Sequence, residues 1–143
     1  MAGGGDPEMR APMRWDLVAA GHPDLAWTRR LIALRKQHRA LRVGNFRPVT
    51  TDCLIGFERY TDRVRDSVVV LANPGPGEIT ETVLVANSKL MNAFGMIDLL
   101  PTVAVPVTIM ASTLRITVPA GTVRVLAPEL EPAGGYSAYK RVK

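Results

Sequence analysis

The sequence is short of several things that other classes of protein need. It has one cysteine, Cys53, so no internal disulfide can form. That lone thiol falls at the entry to an expected strand, Thr51-Asp-Cys-Leu-Ile55, where a small buried cysteine is the ordinary reading. A nucleophilic cysteine needs a nearby histidine and an electropositive setting, and only His22 and His38 are present. Aromatic residues make up 6% of the chain, few for a surface built from stacking platforms. No apolar run approaches the roughly 20 residues that span a bilayer. The N-terminus, Met1-Ala-Gly-Gly-Gly-Asp6, lacks the basic start and apolar centre of a signal peptide. No membrane partner is expected, and the compartment is left open. Paired cysteines and a His-Glu-x-x-His pattern for zinc are missing, and Gly3-Gly-Gly5 has no strand–helix context for phosphate. No cofactor is expected.

What remains is the composition of a folded domain, with 143 residues, 47% hydrophobic and 22% charged. Eighteen Lys and Arg against 13 Asp and Glu leave a net charge of +5. The cations are scattered, with Arg29, Arg30, Arg35, Lys36, Arg39 and Arg42 around one helix and others along strands. Lys140, Arg141 and Lys143 cluster only at the end. Such a spread reads as a solvated surface, so nucleic acid is not an expected partner.

Residues 1–23 are rich in glycine and proline and show no period, which predicts an irregular segment. A helix is expected over residues 24–44, capped by Asp24 and stopped by Gly44. Trp27, Leu31, Leu34, His38 and Leu41 recur at spacings of four, three, four and three, an apolar stripe that Ile32 widens. Arg35, Lys36 and Arg39 near its end complement the helix dipole.

From Asn45 the period becomes two, and residues 45–128 read as one all-β domain. Strands are expected at Phe46–Thr50, Leu54–Tyr60, Ser67–Asn73, Glu78–Ala86, Phe94–Leu100, Val105–Met110, Thr113–Val118 and Thr122–Leu126. Leu114, Ile116 and Val118 alternate with Thr113, Arg115 and Thr117; Val123 and Val125 alternate with Thr122 and Arg124. The continuous run Val68-Val-Val-Leu-Ala72 predicts a central strand covered on both faces. Asn73-Pro-Gly-Pro-Gly77 and Pro119-Ala-Gly121 are turns by composition. The fold class is therefore mainly β, an antiparallel β-sandwich preceded by one amphipathic helix. Residues 129–143 form a tail.

One segment points to a family. Gly5-Asp-Pro-Glu-Met-Arg-Ala-Pro-Met-Arg-Trp-Asp16 resembles the stretch after the last barrel strand in α-amylase superfamily glycoside hydrolases. The likeness is closest to cyclomaltodextrinases, neopullulanases and related maltodextrin-acting enzymes, which carry an Asp-Pro-x-x-Arg-x-x-Met-x-Trp run there. Leu31-Ile-Ala-Leu-Arg-Lys-Gln-His-Arg-Ala-Leu-Arg-Val-Gly44 looks like the final barrel helix and its exit. The strands Leu54–Tyr60 and Val68–Asn73, then Ile97-Asp-Leu-Leu100 and Val123-Arg-Val-Leu126, resemble the family's C-terminal sandwich in order and spacing.

The resemblance implies that Asp6 and Arg10 contact glucosyl units in a parent enzyme. A carboxylate accepts from sugar hydroxyls and a guanidinium offers a fixed fork of donors. It also implies that the catalytic carboxylates lie on earlier barrel strands. Retaining glycosidases hold two carboxyls about 5–5.5 Å apart, and the acids of this sequence mostly mark turns or outward strand positions. The expectation is a C-terminal fragment that closes and supports a barrel, not catalytic alone, whose parent takes an α-glucan or maltodextrin. Met1 then corresponds to an internal methionine of a longer reading frame. A stand-alone carbohydrate-binding or protein-interaction sandwich is the competing reading, and an uncovered helix stripe allows self-association.

Overall fold

The structure is a computed structural model that describes residue 12, residues 14–87, residue 90, residues 95–100 and residues 107–129. The chain divides into two compact units, Met1–Leu34 and Arg35–Lys143.

The first unit carries more helix than its composition suggests. A five-residue helix, α1 (Trp15–Ala19), lies within the segment expected to be irregular. Arg14 anchors its start through a two-pronged bond to Asp16, at 2.9 and 2.6 Å. This contact holds the Asp16 carboxyl below its usual range. The main helix α2 (Pro23–Gln37) begins one residue before Asp24. Proline is well placed there because a first-turn N–H has no intrahelical acceptor. The carbonyl of His22 accepts from Leu25 and Ala26, and its Nδ1 accepts from the Asp24 amide at 3.3 Å, so His22 serves as the cap expected of Asp24.

The expected helix over 24–44 does not run through. At His38 the backbone turns extended, with φ −100° and ψ 112°, and a second helix, α3 (Arg39–Val43), follows. Arg35 bridges the break by donating to the Leu41 carbonyl. The break ends the stripe: Leu34 is buried, while Trp27, Leu31 and Ile32 keep 40, 38 and 50% of their surface exposed. Gly44 caps α3 as expected.

Beyond α3 the described residues of the second unit are mainly β, with a short 3-10 turn at Val64–Asp66. Its strands are β1 (Asn45–Pro48), β2 (Ile55–Tyr60), β3 (Ser67–Ala72), β4 (Ile79–Leu84), β5 (Gly95–Asp98), β6 (Val107–Met110), β7 (Thr113–Val118) and β8 (Val123–Pro128). Every expected strand is present. All pairs are antiparallel, in the order β1-β2-β3-β8-β5-β6-β7-β4. The strands form one continuous sheet curled into a half-barrel, and β5 pairing β6 carries it around the bend.

The core lies inside the curl. Val69 and Leu71 of β3 and Leu126 of β8 meet Val83 of β4, Ile109 of β6 and Leu114, Ile116 and Val118 of β7. Alternation on β7 falls as expected, with those three inward and Arg115 exposed. β3 is central, and its Val68 is buried on the opposite side from Val69. Burial of each such aliphatic side chain contributes about 1.5–3 kcal/mol.

The expected turns are also in place. Asn73 organises the first: its Oδ1 accepts from the Gly75 amide at 2.9 Å, and its Nδ2 donates to the carbonyls of Gly77 and Val118. In the second, Gly121 takes φ +62°, a conformation open to glycine without a Cβ penalty.

Candidate functional site

The two residues expected to touch sugar, Asp6 and Arg10, lie outside the described residues. Met13 does too. Trp15 is described, at the start of α1, with 71% of its surface exposed. The one cysteine departs from expectation. Cys53 is exposed, because residues 52–54 form bends ahead of β2 and turn their backbone N–H groups toward Glu81.

The polar chemistry of the second unit collects where the curled sheet nearly closes on itself. β1 and β4 are the two ends of the strand order, and no ladder joins them among the described residues. Side chains bridge the gap instead. From β4, the Glu81 carboxylate accepts the amides of Asp52, Cys53 and Leu54 at 2.8, 3.1 and 3.3 Å. From β1, Arg47 Nη1 donates to the Ala86 carbonyl at 2.7 Å, just past the end of β4. Next to Ala86, Asn87 Nδ2 donates to Glu58 Oε1 at 2.6 Å and to Ser67 Oγ at 3.0 Å.

Glu58 is the unusual member of this seam. Its side chain is fully buried, although the expectation placed the acids outward or in turns. Register explains why. Arg47, Glu58, Val69, Leu126 and Asp98 stand opposite one another across β1, β2, β3, β8 and β5, so all five share the core-facing side. Burial pushes the Glu58 carboxyl above its usual range, and the bond from Asn87 and the charge of Arg47 only partly offset this.

A second charge is hidden at the other end of that row. Arg124, expected among solvated cations, is 1% exposed and donates from Nε to Asp98 Oδ2 at 2.9 Å. Its Nη1 reaches the Thr117 carbonyl at 3.3 Å. Asp98 Oδ1 accepts the Leu100 and Val125 amides. Pairing with these partners is what lets a guanidinium sit in the core.

The two buried carboxyls, Glu58 and Asp98, stand three strand spacings apart, about 14 Å along the sheet. Carboxyl pairs in retaining and inverting glycosidases sit about 5–5.5 and 6.5–9.5 Å apart. Glu58 and Asp98 are therefore not such a pair. No group of three His, Cys, Asp or Glu residues is placed to hold a metal ion among the described residues. No described helix is long and apolar enough to cross a membrane.

A cavity of about 220 Å³ opens at the helix break, lined by Gln37, His38, Arg39, Ala40, Arg65, Asp66 and Val68. Arg39 spends its charge on Asp66 at 3.3 Å and Asp62 at 3.8 Å. Partial burial keeps the His38 imidazole below its usual range, hence neutral at pH 7.

Sequence reasoning missed Glu58, Arg47, Asn87, Ser67, Glu81 and the Arg124–Asp98 pair. For Arg124 the local pattern pointed the other way: Val123 and Val125 alternate with it, yet Arg124 and Leu126 are the residues that stand opposite core-facing Leu71 and Val69. Nothing local marked the others, whose partners are 20–39 residues away.

No family model matches the sequence. Solved structures do match the fold. An Anoxybacillus α-amylase superposes on 92% of this chain with a TM-score of 0.68 and 21% identity. The fold is shared with α-amylase family enzymes. AmyP in complex with maltotriose matches over 69% of the chain, with a TM-score of 0.55 and 19% identity. An α-amylase from H. orenii matches over 71%, with a TM-score of 0.50 and 23% identity. This chain spans 27% of the Anoxybacillus enzyme and 19% of each of the other two.

Proposed function

We propose that this chain is the C-terminal, non-catalytic unit of an α-amylase superfamily glycoside hydrolase acting on α-glucans or maltodextrins. Its role is to close and stabilise a catalytic barrel carried elsewhere in the parent polypeptide. The observation that supports this most is the match of 92% of the chain to 27% of an α-amylase. The Asp6-to-Trp15 run supports a maltodextrin-acting parent of the cyclomaltodextrinase or neopullulanase kind. In that parent Asp6 and Arg10 bind glucosyl units. The maltotriose bound to AmyP fits the same substrate class.

The polar side chains of the sheet suit a supporting unit. Arg124, Asp98, Asn87 and Glu81 are spent on holding strands and loops together, in bonds of 2.6–3.3 Å. The exposed stripe of Trp27, Leu31 and Ile32 on α2 is an apolar face of the kind that drives self-association when the chain is alone.

Calorimetry of the chain with maltoheptaose, paired with a maltodextrin hydrolysis assay, tests this reading. Neither hydrolysis nor sub-millimolar binding is expected. Hydrolysis by the chain alone would overturn the proposal. Sub-millimolar binding without hydrolysis would favour a stand-alone carbohydrate-binding domain.

A further inference from the structure

The seam between β1 and β4 is held by side chains, and at its centre lies a carboxyl group that its neighbours leave half satisfied. Glu58 Oε1 accepts from Asn87, but Oε2 is buried with no hydrogen-bond partner among the described residues. The guanidinium of Arg47 stands 3.8 Å from Oε2, beyond hydrogen-bond reach. It is held there by two other attachments, its bond to the Ala86 carbonyl and the Tyr60 ring 4.4 Å from its Cζ.

The described groups on this site are few and can be named from every element around it. β1 supplies Arg47, β2 supplies Tyr60 two residues along, β3 supplies Ser67, and the segment after β4 supplies Asn87. Only Arg47 is charged at neutral pH. A neutral carboxyl is the less costly form here: Asn87 satisfies Oε1, and an O–H on Oε2 without an acceptor costs less than an unbonded buried charge. An ionised carboxyl is held less well, because Arg47 at 3.8 Å offers its charge but no hydrogen bond to Oε2.

Ionisation therefore leaves two routes. Either Arg47 shifts toward Oε2, or water enters to solvate it. Each route competes with the Arg47–Ala86 bond, a tie between the two ends of the sheet among the described residues. We propose that Glu58 is a proton-operated latch on this seam: neutral, it keeps β1 and β4 closed on one another; ionised, it lets the seam open. The proton passes to solvent, and no other chemistry is needed. The upward push that burial exerts on the Glu58 carboxyl places the change above the pH at which exposed glutamates ionise.

Amide hydrogen exchange on the full chain tests the latch. The amides of Asp52, Cys53 and Leu54 are its natural reporters, because Glu81 across the seam accepts all three. Their protection, corrected for intrinsic exchange, should fall by up to about tenfold per pH unit above the Glu58 midpoint. The amides of β3 should keep their protection. In Glu58→Gln, where the group cannot ionise, seam protection should stay level with pH. The carbon-13 shift of the Glu58 carboxyl in the wild-type chain supplies a readout that needs no variant. Its midpoint should lie above that of an exposed glutamate and coincide with the loss of seam protection. Protection independent of pH, an equal slope in Glu58→Gln, or an ordinary glutamate midpoint would each overturn the proposal.

Discussion

Arg124 of β8 and Asp98 of β5 form an ion pair inside the half-barrel, 2.9 Å apart, with 1% and 7% of their side-chain surfaces exposed. The pair ties neighbouring strands on the core-facing side, and its remaining capacity goes to backbone groups at Thr117, Leu100 and Val125. Removing Asp98 takes from the buried Arg124 guanidinium the carboxylate that accepts its Nε bond. Asp98→Ala should lower stability by about 3–5 kcal/mol, while Asp98→Leu combined with Arg124→Met should recover most of that loss. Urea unfolding midpoints of the single and double variants check this, and an additive double variant would contradict it.

Glu58 gives the fold a defined pH dependence. Its carboxyl binds a proton more tightly in the folded chain than in the unfolded one. Its contribution is therefore fully present below the ordinary glutamate range and is lost as pH rises through the raised folded value. Glu58→Gln should be more stable than the wild type at pH 8, by on the order of 1 kcal/mol, and should lose that advantage at pH 4. Denaturant midpoints at both values measure the difference, and an advantage confined to pH 4 would reverse the sign of the argument.

The β6–β7 hairpin turns on Ala111 and Ser112, both with positive φ, 47° and 62°. A two-residue turn with both centres in that region favours Asn-Gly, because a Cβ there is crowded. Replacing Ala111 by Asn and Ser112 by Gly should raise stability by about 1–2 kcal/mol. Thermal unfolding reads the gain, and a lower midpoint would show that the side chains contribute more than the backbone strain costs.

Gly44 closes α3 for a reason of space. A Cβ there would stand 2.5 Å from the Ala40 carbonyl oxygen and 2.9 Å from that of Tyr60. Both are backbone atoms of packed elements and cannot yield as a flexible side chain would. Gly44→Ala should cost about 1–3 kcal/mol. A midpoint unchanged from wild type would show that α3 shifts freely against β2.

The limits of sequence reading follow the same division between local and distant contacts. All eight strands were legible because each carries its own signature: alternation in Thr113–Val118, a continuous apolar run in Val68–Ala72, turn chemistry at Asn73 and Gly121. The stop at Gly44 was legible too, though its cause, the Tyr60 carbonyl, was not. The break at His38 was missed because the apolar spacing continues straight through it to Leu41. Buried charges were misread because their burial depends on partners far along the chain. Asp98 lies 26 residues from Arg124, Asn87 29 from Glu58 and Ala86 39 from Arg47. Register across β1, β2, β3, β8 and β5, which no local pattern encodes, is what turns Glu58 and Asp98 inward.

The central claim is that this chain supports a barrel it does not itself supply. The most direct measurement expresses the chain joined to the polypeptide encoded immediately upstream and assays maltodextrin hydrolysis beside the 143-residue chain alone. The account predicts hydrolysis by the joined polypeptide, its loss when this chain is deleted, and none from the chain by itself. An upstream region without a barrel sequence, or a barrel equally active and stable without this chain, would contradict it.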